Sequence, residues 1–76
     1  MEKNENISIA KMVGKNLKHA RRSKGISQAV IAKELNKYQS DYSDYETGQI
    51  ELDYQKIVYL CKRFDITPND LFDFKY

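Results

Sequence analysis

The chain has 76 residues and a formal net charge of +2, which is enough sequence for one small domain. No stretch approaches the roughly 20 apolar residues of a membrane span, and the N-terminus lacks the apolar core of a secretory signal. Cys61 is the only cysteine and His19 the only histidine, which excludes a disulfide framework and argues against a zinc site of about four ligands. The composition therefore predicts a cytoplasmic protein without a metal or other cofactor.

Charge is divided unevenly between the two halves of the chain. Residues 1–38 carry nine Lys or Arg against three acids, and residues 39–76 carry four against eight. A basic N-terminal half indicates a polyanionic partner, although a solvated surface explains such an asymmetry equally well.

Apolar residues recur at helical spacing throughout, without an internal repeat or a flexible linker. This pattern predicts a compact, all-α, five-helix domain over residues 8–72. A polar segment, residues 1–7, precedes the domain, and an aromatic tail, residues 73–76, follows it.

The first two helices are marked by residues that start and stop helices. Ser8 is the expected N-cap of the first helix, and Gly25 is expected to end it in the left-handed conformation. Ser27 is expected to cap the second helix, and Asn36 follows it because Asn tolerates the left-handed conformation. The inward residues are expected to be Ile9, Val13, Leu17 and Ala20 in the first helix and Ile31, Ala32 and Leu35 in the second.

Three further helices follow. The third is predicted from Gln39 to Thr47, ending at Gly48 with Tyr42 and Tyr45 on its inner side, and residues 49–53 form a loop. Asp53 is expected to cap the fourth, and Thr67 and Asp70 form a capping box around Pro68 at the start of the fifth. The residues of the fourth helix that are expected to pack are Tyr54, Ile57, Val58, Tyr59, Cys61 and Phe64.

The second and third predicted helices have the spacing of a helix-turn-helix. Two helices that cross steeply need a small residue at their contact, which Ala32 provides, and a left-handed residue in the turn, which Asn36 provides. The matching residues are Gln28, Ile31, Ala32, Leu35, Asn36, Tyr42, Tyr45, Glu46 and Gly48. In these residues the chain resembles the Cro/repressor class of helix-turn-helix proteins, the Xre-like family of phages and bacteria. The resemblance runs without a gap from Val13 to about Phe72.

The resemblance implies a lambda-repressor-like fold and binding to double-stranded operator DNA. It places residues 39–47 in the major groove as the recognition helix. The implied base contacts are Gln39, Ser40, Ser43 and Asp44, and the implied phosphate contacts are Arg22, Lys24, Gln28 and Thr47. It also implies a structural ion pair between Arg21 and Glu46. In similar phage repressors the glutamines at the positions of Gln28 and Gln39 cooperate on an adenine; the alternative is two solvated surface side chains.

Three departures from the family pattern concern the turn and the recognition helix. Lys37 occupies an apolar position, where its stem is expected to cover the core. Tyr38 occupies the usual capping position, so that either Ser40 caps the helix or its start is poorly capped. Asp41 and Asp44 place two acids on a helix that should face a polyanion. Asp41 either accepts from a cytosine amino group or interacts favourably with the helix dipole.

The function expected from the resemblance is that of a transcriptional regulator, and of a repressor in particular. Phe72, Phe74 and Tyr76 are numerous for a solvated terminus, so they are expected either to form a homodimer interface or to cover the core. A homodimer would require a pseudo-palindromic operator, and regulation by a partner protein is compatible. The alternative is a protein-binding or oligomerisation module that has lost DNA binding. The sequence has no nucleophile–base pair or phosphate loop, so an enzyme is not expected.

Overall fold

In a computed structural model of the protein, the backbone is described for residues 5–74 and the side chains for residues 9–74. This part of the chain folds into five helices and contains no strand. The helices are α1 (Glu5–Ser23), α2 (Gln28–Glu34), α3 (Gln39–Thr47), α4 (Tyr54–Phe64) and α5 (Pro68–Phe72). The predicted all-α, five-helix architecture is confirmed. None of the described helices is both long and apolar enough to cross a membrane.

Local chemistry fixes most of the helix ends where the sequence predicted them. The Ser27 hydroxyl accepts from the Val30 backbone N–H, and the Asp53 carboxylate accepts from that of Lys56. Thr67 and Asp70 form the reciprocal capping box, with a proline in the first turn of α5. The predicted left-handed residues have positive φ angles: 70° at Gly25, 58° at Asn36 and 81° at Gly48.

The predicted start of α1 is wrong. The helix begins at Glu5 and runs through Ser8, so Ser8 is an interior residue and not the N-cap. Residues 5–7, expected to be part of the polar segment, belong to the helix. The mixture of Glu, Asn and Ile in this stretch is compatible with helix, and a good capping residue does not force a helix to begin there.

Ten buried residues from all five helices form the core. Leu17, Ile31, Tyr42, Leu60 and Leu71 are fully buried. The other members are Ala20, Ala32, Tyr45, Cys61 and Phe64. Leu35 packs against this cluster as a partly buried residue. The expected inner residues of α2 and α3 are therefore confirmed, and both helices of the helix-turn-helix are held by the same core.

The predicted inner face of α4 is partly wrong. Tyr54, Val58 and Tyr59 are exposed, whereas Leu60, which was not expected to pack, is fully buried. Both sets of residues have helical spacing, and they differ by a rotation of less than half a turn about the helix axis. Because α4 has apolar side chains around much of its circumference, periodicity does not determine which side faces the core.

A glycine allows α1 to approach α3 closely. A Cβ atom at Gly14 would lie 2.5 Å from the backbone oxygen of Glu46 and 2.6 Å from that of Tyr45. At the end of α3, a Cβ at Gly48 would lie 2.8 Å from the Cα of Lys11. The first helix thus lies directly against the last turn of α3 and sets its position. Sequence reasoning missed Gly14, although a lone glycine inside a strong helical pattern is a signal of close packing.

Candidate nucleic-acid interface

The third helix has a buried side and an outward side. Tyr42, Tyr45 and Glu46 are buried, while Gln39 and Ser40 in its first turn are exposed. Ser43 and Asp44 are half-buried, and Thr47 is exposed at its end. The four residues expected to contact bases therefore lie on the side of the helix that the core leaves accessible. A nine-residue α-helix with one accessible side is of a size that fits the major groove of DNA.

The start of α3 has no side-chain cap. Tyr38 is the N-cap residue, its ring is exposed, and no side chain accepts a hydrogen bond from the first backbone amides. Of the two alternatives for this helix start, the poorly capped one is observed. Asp41 lies in the first turn, where a carboxylate interacts favourably with the helix dipole. The Lys37 ammonium lies 5.8 Å from the centre of the Tyr45 ring, so the charged end of this side chain, and not only its stem, lies over a core residue.

Arg21 and Glu46 form the predicted ion pair between α1 and α3. Arg21 Nε donates to Glu46 Oε2 over 2.6 Å, and Nη2 donates to Oε1 over 3.0 Å. The side chains are only 8% and 1% exposed. Arg21 Nη1 also donates to the backbone oxygen of Ile26 over 2.6 Å, which fixes the segment that leads into α2. This bidentate geometry is the strong form of an Arg–carboxylate interaction.

Hydrogen bonds continue from this ion pair to the surface. Gln28 Nε2 donates to Glu46 Oε1 over 2.8 Å, and Gln39 Nε2 donates to Gln28 Oε1 over 3.4 Å. The carboxylate fixes which end of the Gln28 amide points inward, so the Gln28 oxygen is available to Gln39. The two glutamines are therefore not independent solvated side chains but the outer end of a connected chain, Arg21–Glu46–Gln28–Gln39.

The hydrogen bonds to Glu46 also determine its charge. Burial alone would raise the pKa of this carboxyl group, but the hydrogen bonds from Arg21 and Gln28 outweigh burial and lower it. The pKa of Arg21 is raised, mainly by its hydrogen bond to Glu46. Glu46 is consequently ionised throughout the neutral range.

This lowered pKa predicts how stability depends on pH. The ionised Glu46 stabilises the fold fully above the ordinary glutamate pKa of about 4.3, and the contribution is lost as pH falls through the lower pKa of the folded protein. We expect the free energy of unfolding, measured with urea, to fall below about pH 4. Glu46→Gln should reduce this acid sensitivity, and a decline of the same steepness in this variant would contradict the assignment.

The residues expected to contact phosphate have different surroundings. Arg22 is exposed and has no charged partner among the described residues. The Lys24 ammonium lies 3.8 Å from the Asp65 carboxylate, a loose and exposed pair. Gln28 is half-buried and directed inward to Glu46. The Thr47 hydroxyl donates to the backbone oxygen of Asp44 over 3.4 Å. Of the four, Arg22 is thus the residue whose side chain has no hydrogen-bond or ion-pair partner among the described residues.

Positive charge is unneutralised mainly on α1. Lys11, Lys15, Lys18 and Arg22 follow one another at spacings of four, three and four, are exposed and have no ion-pair partner in the described part of the chain. Two of the three cations of α4 are instead paired: Lys56 with Asp53 at 2.8 Å and Arg63 with Glu34 at 2.9 Å. The basic character of the N-terminal half therefore remains available to a polyanion. His19 is on the surface, as expected.

A polar contact between α2 and α4 was not anticipated from the sequence. The Tyr59 hydroxyl donates to Glu34 over 2.6 Å, and Arg63 holds the same carboxylate. Tyr59 and Arg63 are four residues apart and so lie on one side of α4, which is the only sequence signal that pointed to a shared partner. This contact anchors the end of α2 to the scaffold.

The remaining residues singled out in the sequence are the cysteine and the aromatic side chains near the C-terminus. Cys61 is buried, and burial raises the pKa of its thiol, which fits the packing role predicted for it. Phe72 and Phe74 are exposed, and Tyr76 lies outside the described residues. Within the described residues, no group of His, Cys, Asp and Glu is arranged to hold a metal ion.

The fold and this surface are those of a helix-turn-helix domain, with α2 and α3 as its two defining helices. A family model for a helix-turn-helix domain matches residues 14–76, and the chain belongs to this family of Xre/Cro-like, DNA-binding domains. The match confirms the resemblance deduced from the sequence. No curated protein and no solved structure matches the chain.

Proposed function

We propose that this protein is a cytoplasmic, sequence-specific transcriptional repressor that reads operator DNA with α3 in the major groove. The observation that carries the proposal is the chain of hydrogen bonds from the buried Arg21–Glu46 pair through Gln28 to Gln39. Such a connection holds an exposed amide at the opening turn of the helix, where a side chain projects furthest into the groove. The role is one of binding and not of catalysis, as is typical of the family.

The orientation of Gln39 suits adenine. One of its amide protons is engaged by Gln28, which leaves the other N–H and the side-chain oxygen accessible. Adenine presents an acceptor, N7, and a donor, the N6 amino group, to the major groove, so the remaining edge of the amide is complementary to it. Ser40, Ser43 and Asp44 are proposed to contact neighbouring bases from the same side of α3.

Phosphate contacts are proposed on both sides of the reading helix. The proposed contacts before α3 are Arg22 and Lys24, which precede α2, and Gln28, the first residue of α2. Thr47, the last residue of α3, is the proposed contact on the other side. The unneutralised cations of α1 support an interaction with a polyanion.

The protein is further proposed to act as a homodimer on a pseudo-palindromic operator. Exposed Phe72 and Phe74 support an apolar contact between copies, and Tyr76 is proposed to extend it. A two-fold dimer presents two copies of α3, which matches two half-sites related by the same symmetry.

A second candidate function is supported by the two acids of α3. Asp41 and Asp44 have no cationic partner among the described residues, and both belong to the helix that is proposed to face DNA. This arrangement favours a module that keeps the fold but binds a protein. Salt dependence separates the two functions, because DNA binding releases counterions and weakens steeply as salt is raised.

Gln39→Ala is expected to relax base preference at one position in each half-site, with a loss of about 1–3 kcal/mol in discrimination there. Affinity for unrelated duplexes should hardly change, because this side chain contacts no phosphate. Competition binding with a panel of duplexes that differ at single positions measures both quantities. Unchanged preference at every position would show that α3 does not read bases.

Arg22→Ala is expected to weaken binding to all duplexes alike and to reduce the salt slope by about 0.9. Lys56→Ala, which removes a cation already paired on α4, is the matched control and should leave the slope unaltered. The measurement is the affinity for a non-specific duplex over a series of salt concentrations. An equal effect of the two substitutions would mean that Arg22 acts only through the overall charge.

A further inference from the structure

An apolar groove lies where α1, the end of α3, the loop that follows it and the start of α4 meet. Its volume is about 230 Å³, and α5 contributes Phe72 to its wall. Most of the wall is aliphatic and comes from Ile9, Ala10, Val13, Ile50, Leu52 and Ile57. A concave, mostly apolar surface with a few polar groups is the usual form of a site for a small molecule.

Three aromatic rings and one carboxylate make this groove complementary to a cation. Tyr45 and Phe72 line it, and so does Tyr54, which is 88% exposed at the start of α4. Glu51 is the only charged residue among the described residues of the wall. It has no ion-pair partner in the described part of the chain. The faces of aromatic rings attract cations, and the carboxylate adds a charge of opposite sign.

The lysines that approach this region do not line the groove. The Lys37 ammonium lies 5.8 Å from the centre of the Tyr45 ring, but Lys37 is not among the lining residues. The Lys56 ammonium lies 2.8 Å from the Asp53 carboxylate, which neutralises it. The charge that a molecule meets on the described wall of the groove is therefore that of Glu51.

We propose that this groove binds a small organic cation with an aromatic or branched apolar body, a quaternary ammonium compound being the simplest type. The apolar body packs against the aliphatic wall, where burial of its surface is favourable. The cationic group meets the Glu51 carboxylate and the ring of Tyr54. A quaternary ammonium donates no hydrogen bond, which suits a wall whose polar side-chain groups are one carboxylate and the tyrosine hydroxyls.

The groove is separate from the residues that are proposed to contact DNA. Gln28, Gln39 and Arg22 do not line it. Binding can consequently be measured without DNA, and its failure would leave the DNA-binding proposal untouched. Because the wall draws on α1, α3, α4 and α5, it exists only in the folded chain, and a ligand should raise the urea concentration at which the protein unfolds.

Titration of the full chain with benzyltrimethylammonium, followed by NMR of the backbone amides at constant ionic strength, tests the proposal. A saturable isotherm with a dissociation constant of about 1 mM is expected for a ligand of about eleven non-hydrogen atoms. The amides of Ala10, Leu52 and Ile57 should shift, and that of Gln39 should not. Phenylacetate, an anion, should bind more weakly. Absence of saturation, or binding of phenylacetate that is as strong, overturns the proposal.

Glu51→Gln separates the charge from the apolar packing. It should weaken binding of benzyltrimethylammonium by about two- to fivefold, the effect of one exposed charge, and leave binding of neutral benzyl alcohol unchanged. Asp41→Asn removes an exposed acid of α3 that does not line the groove, so it is the matched control and should affect neither ligand. Equal losses in the two variants would mean that only the overall charge attracts the cation, which contradicts the site.

Ala10→Phe fills the groove from α1. It should weaken both benzyltrimethylammonium and benzyl alcohol by about tenfold or more, because the new ring takes the space of the ligand. Ala29→Phe, at an exposed alanine of α2 outside the groove, is its control and should bind both normally. Undiminished binding to Ala10→Phe contradicts the proposal. So does a groove covered by a second copy, which would shift the same amides when the protein is diluted without ligand.

Discussion

Arg21→Ala and Glu46→Ala should each lower the free energy of unfolding by about 3–5 kcal/mol. Each substitution leaves the other charge buried and without its partner, in a site where the side chains are 8% and 1% exposed. Lys15→Ala, on the exposed side of α1, is the control and should change stability by less than about 0.5 kcal/mol. Urea unfolding of the three variants at pH 7 is the measurement.

A paired substitution separates the charges from the packing. Replacing both residues with apolar side chains of similar size, as in Arg21→Met with Glu46→Leu, should recover most of the lost stability because no buried charge remains. Such a stable double variant should nevertheless lose base preference, since Gln28 no longer has a carboxylate to orient it. Small and equal losses in all single variants would contradict a buried, hydrogen-bonded pair.

Gly14→Ala should also destabilise the protein, by about 1–3 kcal/mol or more. In an ordinary helix interior this change is favourable by about 1 kcal/mol, because glycine loses more conformational freedom on folding. Here the new methyl group would lie 2.5 Å from the backbone oxygen of Glu46, so α1 and α3 must separate. Gly14→Ala is therefore expected to lower the free energy of unfolding, whereas Gly→Ala at an ordinary position inside a helix raises it.

Gly25→Ala provides the control for this prediction. A Cβ atom there meets nothing within 4 Å, and only the left-handed backbone, with φ of 70°, is unfavourable. This substitution should lower the free energy of unfolding by about 1–2 kcal/mol and should leave the contact between α1 and α3 unaltered. Gly14→Ala, by moving the backbone of Glu46, should in addition weaken specific DNA binding. A gain in stability for Gly14→Ala would show that the two helices separate without cost.

Local chemistry made much of this fold predictable from sequence. The side chains of Ser27, Asp53 and Thr67 each accept a hydrogen bond from a backbone N–H three residues further along the chain. Their role as helix caps can therefore be predicted without knowledge of the tertiary structure. Asn36 and Gly48 are similarly determined by their own backbone conformation. The pairing of Arg21 with Glu46 spans 25 residues and was predicted by family resemblance, not by any local rule.

Features that depend on packing could not be predicted in the same way. The rotation of α4 is decided by which apolar residues meet the core, and Leu60 does so in place of Tyr54 and Val58. Similarly, the connection from Glu46 through Gln28 to Gln39 depends on how α2 is positioned against α3, although the resemblance suggested that the glutamines cooperate. The start of α1 at Glu5 shows that a favourable cap such as Ser8 is not always used.

The proposed function requires that α3 reads the base sequence of duplex DNA. Selection of binding sites from random duplexes by the full chain tests it most directly, with Gln39→Ala selected in parallel. We expect the wild-type protein to select a pseudo-palindromic site with half-sites about one helical turn apart, and the variant to lose preference at one position per half-site. Recovery of random sequences by the wild-type protein, or of the same site by both proteins, would contradict it.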